Sequence, residues 1–151
     1  MKIAPGNLDD PRIIALLGQH LETMHAASPP ESVHALDLSG LKRPEISFWA
    51  AWDGETLLGV GALKALGAGH GEVKSMHIVA AARKRGIGQA MLDHVIKAAR
   101  ASGMTRLSLE TGSMDAFIPA RTLYASNGFT LCPPFGDYWD DPASVCMTRE
   151  I

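Results

Sequence analysis

Three consecutive basic residues stand directly before a pair of closely spaced glycines, in the stretch RKRGIG at residues 83–88. Arginine and lysine side chains carry the positive charge that attracts phosphate groups. Because glycine has no Cβ atom, Gly86 and Gly88 let backbone N–H groups come close to a ligand. These residue types predict a turn that binds phosphate or pyrophosphate, formed by Arg83, Lys84, Arg85, Gly86, Ile87, Gly88 and Gln89.

This turn is expected to lie between a strand and a helix. Residues 73–79 alternate in the extended, half-buried pattern that is typical of a strand. From Ile87 onward, apolar residues recur at helical spacing as far as Ala98. The N-terminus of such a helix exposes unpaired N–H groups and carries about +0.5 elementary charge, which favours an anion.

Two other phosphate-binding loops do not fit the sequence. A P-loop requires Gly-x-x-x-x-Gly-Lys followed by Ser or Thr, and the chain has no such stretch. A dinucleotide fingerprint requires a third glycine where this chain has Met91. The turn therefore has to be interpreted from its surroundings.

The composition limits the class of protein. The chain has 151 residues, 46% of them hydrophobic, which is enough for one domain with a substantial core. A net charge of −2 gives no electrostatic reason to expect nucleic acid or a membrane surface as partner. No apolar run reaches the ~18 residues of a membrane span. Cys132 and Cys146 do not form a disulfide framework, so we expect a cytoplasmic protein with reduced thiols.

Two motifs in the chain resemble those of one known family. The spacing Arg83-x-x-Gly86-x-Gly88 resembles the acyl-CoA signature of the GNAT family of N-acetyltransferases. The later stretch 120–129, ARTLYASNGF, resembles a second motif of that family. Phe117 stands where the family often has asparagine, which bears on a contact to the cofactor and not on the fold. The two motifs in this order, separated by a helix and a strand, are much more specific than either one alone.

The resemblance implies an α/β fold in a single N-acetyltransferase domain over residues 1–151. We expect a mixed, mostly antiparallel sheet that is flanked by helices and has a splay between its central strands. In the family, backbone groups beside this splay bind the pantothenate arm of acetyl-CoA. The equivalent residues here are Met76 and Ile78. The sequence patterns predict strands near 2–5, 46–52, 57–66, 73–79, 106–110, 129–132 and 145–149, and helices near 11–27, 31–38, 86–101 and 116–126.

Three further stretches resemble a narrower group within the family. They are GEVKSMH at residues 71–77, LETG at residues 109–112 and the tail at residues 134–145. The group consists of small bacterial acetyltransferases that carry labels such as YsnE-like or indole-acetate-type acetyltransferase.

Amide formation from a thioester needs a base for the amine and an acid for the departing thiolate. Glu72, at the start of the central strand, is the predicted base, and Glu110 on the next strand is the alternative. The resemblance implies that Tyr124 is the acid. In a purely structural interpretation, Glu72 would be a surface carboxylate paired with Lys74 or Lys64.

Residues 28–44 would cover the acceptor side of the splay in this fold. His25, Ser32 and His34 flank that segment and are candidates for contact with the acceptor, although each is also typical of ordinary structure. An acidic tail with Asp137, Asp140 and Asp141 could attract an amine or form a solvated turn. The six histidines show no metal-ligand spacing, so no metal is expected.

These observations predict an acetyl-CoA-dependent N-acetyltransferase. It would transfer acetyl directly, in a ternary complex, to a primary amine of a small molecule or an amino-acid-like acceptor. No cysteine lies beside the two motifs, which argues against an acetyl-cysteine intermediate. A non-catalytic acyl-CoA-binding regulatory module and a protein or peptide N-acetyltransferase are the alternatives. Dimers are common in the family, so a homodimer is left open.

Overall fold

The computed structural model describes all residues, 1–151, and contains one seven-stranded sheet. The strands lie in the order β1-β2-β3-β4-β5-β7-β6, and all neighbours are antiparallel except the parallel pair β4 and β5. Their bounds are β1 Lys2–Pro5, β2 Ile46–Asp53, β3 Thr56–Gly67, β4 His70–Ile78, β5 Arg106–Gly112, β6 Thr130–Cys132 and β7 Ser144–Glu150. The predicted mixed, mostly antiparallel sheet is confirmed. Cys132 and Cys146 are free thiols that lie directly opposite each other on β6 and β7.

Four α-helices flank the sheet: α1 Pro11–Ala27, α2 Leu38–Leu41, α3 Ile87–Ala101 and α4 Ile118–Ser126. No helix combines the length and the apolar character needed to cross a membrane. α1 begins as predicted, because the Asp10 side chain accepts the N–H of Arg12 and proline occupies the first turn. α4 is preceded by a 3-10 turn at Asp115–Phe117, so its regular part starts two residues later than expected.

The helix predicted at residues 31–38 is wrong. Its first residues form a 3-10 turn, Pro30–Ser32, and residues 33–37 have no regular structure. The short helix α2 begins only at Leu38, because the carboxylate of Asp37 accepts the N–H of Gly40 at 2.8 Å. An aspartate in this role starts a helix, so Asp37 precedes α2 rather than lying within a helix.

The sheet has an apolar core on each face. On one face, the buried residues Met91, Leu92 and Val95 of α3 belong to the larger core cluster. On the other face, Ile13, Leu16 and Leu17 of α1 belong to a second cluster with residues of β2 and β3. Each helix presents an apolar stripe to the sheet, and this packing fixes the positions of the helix termini and of the loops.

The splay predicted between the central strands is present. β4 and β5 pair only through His70, Gly71 and Glu72 with residues 106–108, and no pairing between them continues beyond this point. β4 also bulges toward its other neighbour, since Ser75 and Met76 together stand opposite the single residue Gly61. Ser75 has a φ of 53°, in the left-handed region. The regular alternation predicted for residues 73–79 is therefore wrong at Ser75, because the bulge adds one residue to the strand.

Candidate active site

The predicted phosphate turn, residues 83–89, connects β4 to the N-terminus of α3. Lys84 and Gly86 have φ values of 63° and 80°, so the chain reverses through the left-handed region at both. A Cβ atom built on Gly86 would meet nothing within 4 Å, so the space beside it is open. Gly86 caps α3 without any side-chain hydrogen bond. The first N–H groups of α3 thus have no partner, which is the arrangement that binds a phosphate.

Residues of the phosphate turn divide into side-chain and backbone contributors. Arg83, Lys84 and Arg85 are exposed, so their charges are free to meet a phosphate. Ile87 is buried in the core and can offer only its backbone. Gln89 also offers only its backbone, since its side-chain amide exchanges hydrogen bonds of 2.7 and 2.9 Å with Asn127. Asn127 follows α4, so this pair joins the two sequence motifs.

The backbone of β4 beyond Glu72 is paired with β3 on one side only. Ile78 pairs with Gly59 across β3, and its carbonyl oxygen accepts the Nε–H of Arg83 at 3.4 Å. The side chains of Met76 and Ile78 pack against the larger core cluster. Any contact of these two residues with a cofactor would therefore come from the backbone edge that faces the splay.

A cavity of about 100 Å³ lies in the splay. This splay cavity is lined by residues of α1, β4, β5, α4 and the tail before β7. Both predicted catalytic residues, Glu72 and Tyr124, line it, and so does the alternative base, Glu110. The aromatic ring of Phe117 lines it too and lies so close to Gly112 that a Cβ there would clash with the ring.

Glu72 is a member of a buried polar triangle. Its residue is 3% exposed, and its Oε2 accepts hydrogen bonds from Lys74 Nζ at 3.1 Å and from the Tyr138 hydroxyl at 2.5 Å. Lys74 Nζ also donates to the Tyr138 hydroxyl oxygen at 3.0 Å. The purely structural interpretation predicted an ion pair between Glu72 and Lys74, and this ion pair is present. Glu72 is buried, however, and does not lie at the surface. Its charge is balanced by a cation inside the protein.

Glu110, the alternative base, has fewer polar partners than Glu72. It forms none of the ion pairs of the structure, and its one side-chain hydrogen bond comes from Ser144 Oγ at 3.2 Å. Burial disfavours its charged form and raises its pKa to about 7. A carboxyl group with this pKa exchanges protons readily near neutral pH, which is the property required of a general base.

Tyr124 is buried, with its ring packed edge-on against Phe129 at a centroid distance of 5.8 Å. Its hydroxyl makes no hydrogen bond to the rest of the chain, and the residue lines the splay cavity. Burial raises the pKa of this tyrosine above its usual range. The hydroxyl therefore stays protonated at neutral pH and has a proton to give.

Two histidines meet on the side of the splay cavity that α1 provides. The Nδ1 atoms of His20 and His77 are 3.1 Å apart. Burial, helped by His77, lowers the pKa of His20 to about 4, so His20 is neutral at physiological pH. No three His, Cys, Asp or Glu side chains are grouped so that they could hold a metal ion. That the protein needs no metal stays a prediction.

Two covering segments, residues 30–35 and 137–141, close over the splay cavity and contact each other. Ser32 Oγ donates to Asp141 Oδ2 at 2.5 Å. The ring of His34 packs edge-on against Tyr138 and Trp139, each at a centroid distance of 4.9 Å. The sequence patterns singled out Ser32, His34 and Asp141 but not Tyr138. Its position in the aromatic tail between Phe135 and Trp139 was the available signal.

The chain belongs to the GNAT family of acetyltransferases. Residues 14–129 match the model of the Acetyltransferase (GNAT) family, and this range includes both motifs identified in the sequence. The chain is 49% identical over 151 residues to the uncharacterized N-acetyltransferase YsnE of Bacillus subtilis, covering 100% of both chains. It is 40% identical over 124 residues to an IAA acetyltransferase of Azospirillum brasilense, covering 82% of this chain and 80% of that protein. The resemblance to the YsnE-like group is thus confirmed.

Solved structures share the same fold. An acyl-CoA N-acyltransferase structure from Klebsiella pneumoniae superposes with a TM-score of 0.83 and 28% identity, covering 99% of this chain and 96% of that chain. The PaiA N-acetyltransferase of Thermoplasma acidophilum, in complex with coenzyme A, has a TM-score of 0.75 and 16% identity, covering 99% and 98%. At 16% identity the second likeness concerns the fold alone.

Proposed function

We propose that this N-acetyltransferase uses acetyl-CoA to acetylate the primary amine of a small acceptor by direct transfer in a ternary complex. One observation carries the proposal. A single cavity at the mouth of the splay is lined by a carboxyl group that forms no ion pair, Glu110, and a protonated tyrosine, Tyr124. These are the base and the acid that amide formation from a thioester requires.

The phosphate turn has the features of an acetyl-CoA pyrophosphate site. In this proposal the backbone N–H groups of Ile87, Gly88 and Gln89 bind the pyrophosphate, and Arg83, Lys84 and Arg85 add positive charge. The open backbone edge at Met76 and Ile78 binds the pantothenate arm. Bound acetyl-CoA supplies an acetyl group that is activated as a thioester.

Glu110 is proposed to take the proton that the ammonium form of the acceptor must lose. The neutral amine then forms a C–N bond with the acetyl carbon while the C–S bond breaks, and the nitrogen loses its second proton to solvent. Tyr124 donates its proton to the departing thiolate and is reprotonated from solvent. The products are the N-acetylated acceptor and CoA with a free thiol, and the proton taken from the amine is released from Glu110.

Glu72 was the first candidate for the base, and that role stays a prediction. The argument for Glu110 is one of pairing: Glu72 Oε2 already accepts two hydrogen bonds and forms an ion pair with Lys74, whereas Glu110 forms no ion pair and has one hydrogen bond, from Ser144. We assign Glu72 to holding Lys74 and Tyr138 in place. Its charge also adds to the negative field that attracts a cationic amine.

Two alternatives to a small-molecule enzyme have different requirements. A protein or peptide acceptor needs an open groove, whereas the covering segments are tied together here by Ser32 and Asp141. A regulatory module that only binds acyl-CoA needs the phosphate turn, but it has no need of Glu110 and Tyr124 in one cavity. Both features favour an enzyme with a small acceptor.

The test is to mix the protein with acetyl-CoA and panels of small amines, amino acids and peptides, then to follow free thiol and the acetylated product. We expect release with small acceptors that falls at least ~10²-fold in Glu110→Gln, the scale of a general-base contribution. Glu72→Gln is the matched comparison. Tight acetyl-CoA binding without thiol release from any acceptor would instead identify a binding module, and release with peptides alone would identify a peptide acetyltransferase.

A further inference from the structure

The ammonium group of Lys74 has one hydrogen-bond donor that nothing in the chain satisfies. Its side chain is 8% exposed and lines the splay cavity. Two of its three N–H groups point to Glu72 and Tyr138, at 3.1 and 3.0 Å. An unpaired donor on a buried cation is costly, so the third N–H group requires an acceptor atom from a ligand or water.

The neighbouring residue, Ser75, does not share this role. Ser75 Oγ is the one fully buried side-chain oxygen or nitrogen of the structure that lacks a hydrogen-bond partner, so it has no surface that a ligand could reach. The bulge groups Ser75 with Met76, whose side chain packs against the larger core cluster. The third N–H group of Lys74 is therefore the free donor of the cavity, and an oxygen of a carboxylate matches it.

An acidic group, the carboxyl group of Glu110, lies across the splay from the ammonium group of Lys74. The last paired residues of the two strands are Glu72 on β4 and Ser108 on β5. Two residues further along each strand, on the same faces, lie Lys74 and Glu110. The cavity therefore has an unused N–H donor of a lysine on one strand and a carboxyl group that forms no ion pair on the other. A molecule that carries both a carboxylate and an amine is complementary to this pair.

We propose that the acceptor is a small amino acid, whose carboxylate binds to Lys74 while its amine faces Glu110. This inference rests on the proposed function and narrows it to one class of acceptor. Met24, Phe117 and Ala120 line the same cavity and suit an aliphatic or aromatic side chain.

Matched acceptors test the carboxylate directly. Leucine, methionine and phenylalanine are each compared with the amine that lacks only the carboxyl group, at equal concentrations of neutral amine. We expect kcat/KM to be at least about 10-fold higher for the preferred amino acid than for its matched amine, the scale of hydrogen bonds to a charged group. If every amine reacts as well as its amino acid, the inference is overturned.

Substitutions then test which residues cause the preference for an acceptor with a carboxylate. Lys74→Met alone would leave the buried Glu72 charge without its partner, so the test uses the double variant Glu72→Gln with Lys74→Met, which removes both charges together. The preference for the carboxylate should vanish in the double variant. Lys97→Met, at an exposed lysine of α3, is the control and should keep it. A double variant that retains the preference contradicts the inference.

Binding separates this inference from the proposed function. Calorimetry of amino acids against the protein with CoA bound requires no chemistry. Amino acids that bind at least about 10-fold more tightly than the matched amines, with the difference lost in the double variant, support the carboxylate site even if no thiol is ever released. Equal binding of the two ligand types refutes the site alone, whereas absent thiol release with intact binding refutes the proposed function alone.

Discussion

The phosphate turn presents backbone groups of one continuous stretch, whereas the splay cavity is lined by side chains from elements that are far apart in the chain. Residues 83–89 supply the turn, and the donors that matter there belong to the first residues of α3. The cavity draws Glu72 and Lys74 from β4, Glu110 from β5, Tyr124 from α4 and Tyr138 from the tail.

This difference has consequences for how each region responds to substitution. A backbone site depends on the conformation of the chain and on open space, so most side-chain changes in the turn should be mild. A side-chain site depends on individual atoms, so one deleted hydroxyl or carboxylate removes a function. The two regions should therefore fail separately, the turn in acetyl-CoA affinity and the cavity in the rate of transfer.

The largest effect is expected when the proposed acid, the hydroxyl of Tyr124, is removed. Tyr124→Phe keeps the buried ring and removes only the hydroxyl, so we expect kcat to fall roughly 10²-fold. The affinity for acetyl-CoA should not change, because the phosphate turn is untouched. Steady-state kinetics and calorimetry measure the two quantities. A variant with the kcat of the wild type would show that water or another group protonates the thiolate.

The phosphate turn is tested by filling its open space. Gly86→Glu introduces a side chain and a negative charge where the proposal has the pyrophosphate, so acetyl-CoA binding should weaken by at least about 2 kcal/mol, or roughly 30-fold in Kd. Gly54→Glu is the matched control, since Gly54 also has a positive φ, of 58°, and open space around it, but lies in the turn between β2 and β3. Equal affinities of the two variants would refute the phosphate-turn assignment.

A smaller effect is expected where the covering segments meet. Ser32→Ala deletes the hydroxyl that is bonded to Asp141, and one hydrogen bond is worth about 1 kcal/mol, so KM for the acceptor should rise about fivefold. Acetyl-CoA affinity should stay constant. Ser102→Ala is the control, because the Ser102 hydroxyl bonds only to the backbone of α3. If Ser32→Ala raises the Kd of acetyl-CoA instead, the covering segments contribute to acetyl-CoA binding and not to acceptor binding.

The raised pKa of Glu110 should also affect how the free energy of unfolding depends on pH. Burial raises the pKa of Glu110 from its ordinary value of 4.5 to about 7 in the folded protein, so the folded state holds a proton that the unfolded state has lost between these pH values. The contribution of Glu110 to the free energy of unfolding should therefore fall as pH rises from about 4.5 to 7. Urea denaturation of the wild type and Glu110→Gln over this range should show the wild type losing stability relative to the variant. Parallel pH profiles would mean that the Glu110 carboxyl is not perturbed.

The same contrast explains what the sequence could predict. The helix periodicity of α3, the Asp10 cap of α1 and the glycines of the phosphate turn are local signals, and the structure has each of these features at the predicted place. The second motif identified Tyr124, and the order of elements indicated the splay. All of these depend on residues close together in the chain.

The cavity depends on contacts that no local pattern contains. Tyr138 and Glu72 are 66 positions apart, so their hydrogen bond follows only from the packing of the tail over β4. The bulge at Ser75 is invisible in a pattern that alternates regularly on either side of it. The choice between Glu72 and Glu110 requires knowing which carboxylate forms an ion pair, and that is a property of the folded chain.

The most direct test of the account is the pH profile of kcat/KM for an amine acceptor, measured in the wild type, Glu110→Gln and Glu72→Gln. In the wild type, the rate should rise as Glu110 loses its proton, with an apparent pKa of about 7. Glu110→Gln should lose at least ~10²-fold in kcat/KM near pH 7, and its remaining rise should follow the pKa of the amine acceptor instead of a pKa of about 7. The Glu72→Gln variant should keep the rise with pH. If Glu110→Gln keeps both the rate and the rise while Glu72→Gln loses them, the base is Glu72 and the assignment made here is contradicted.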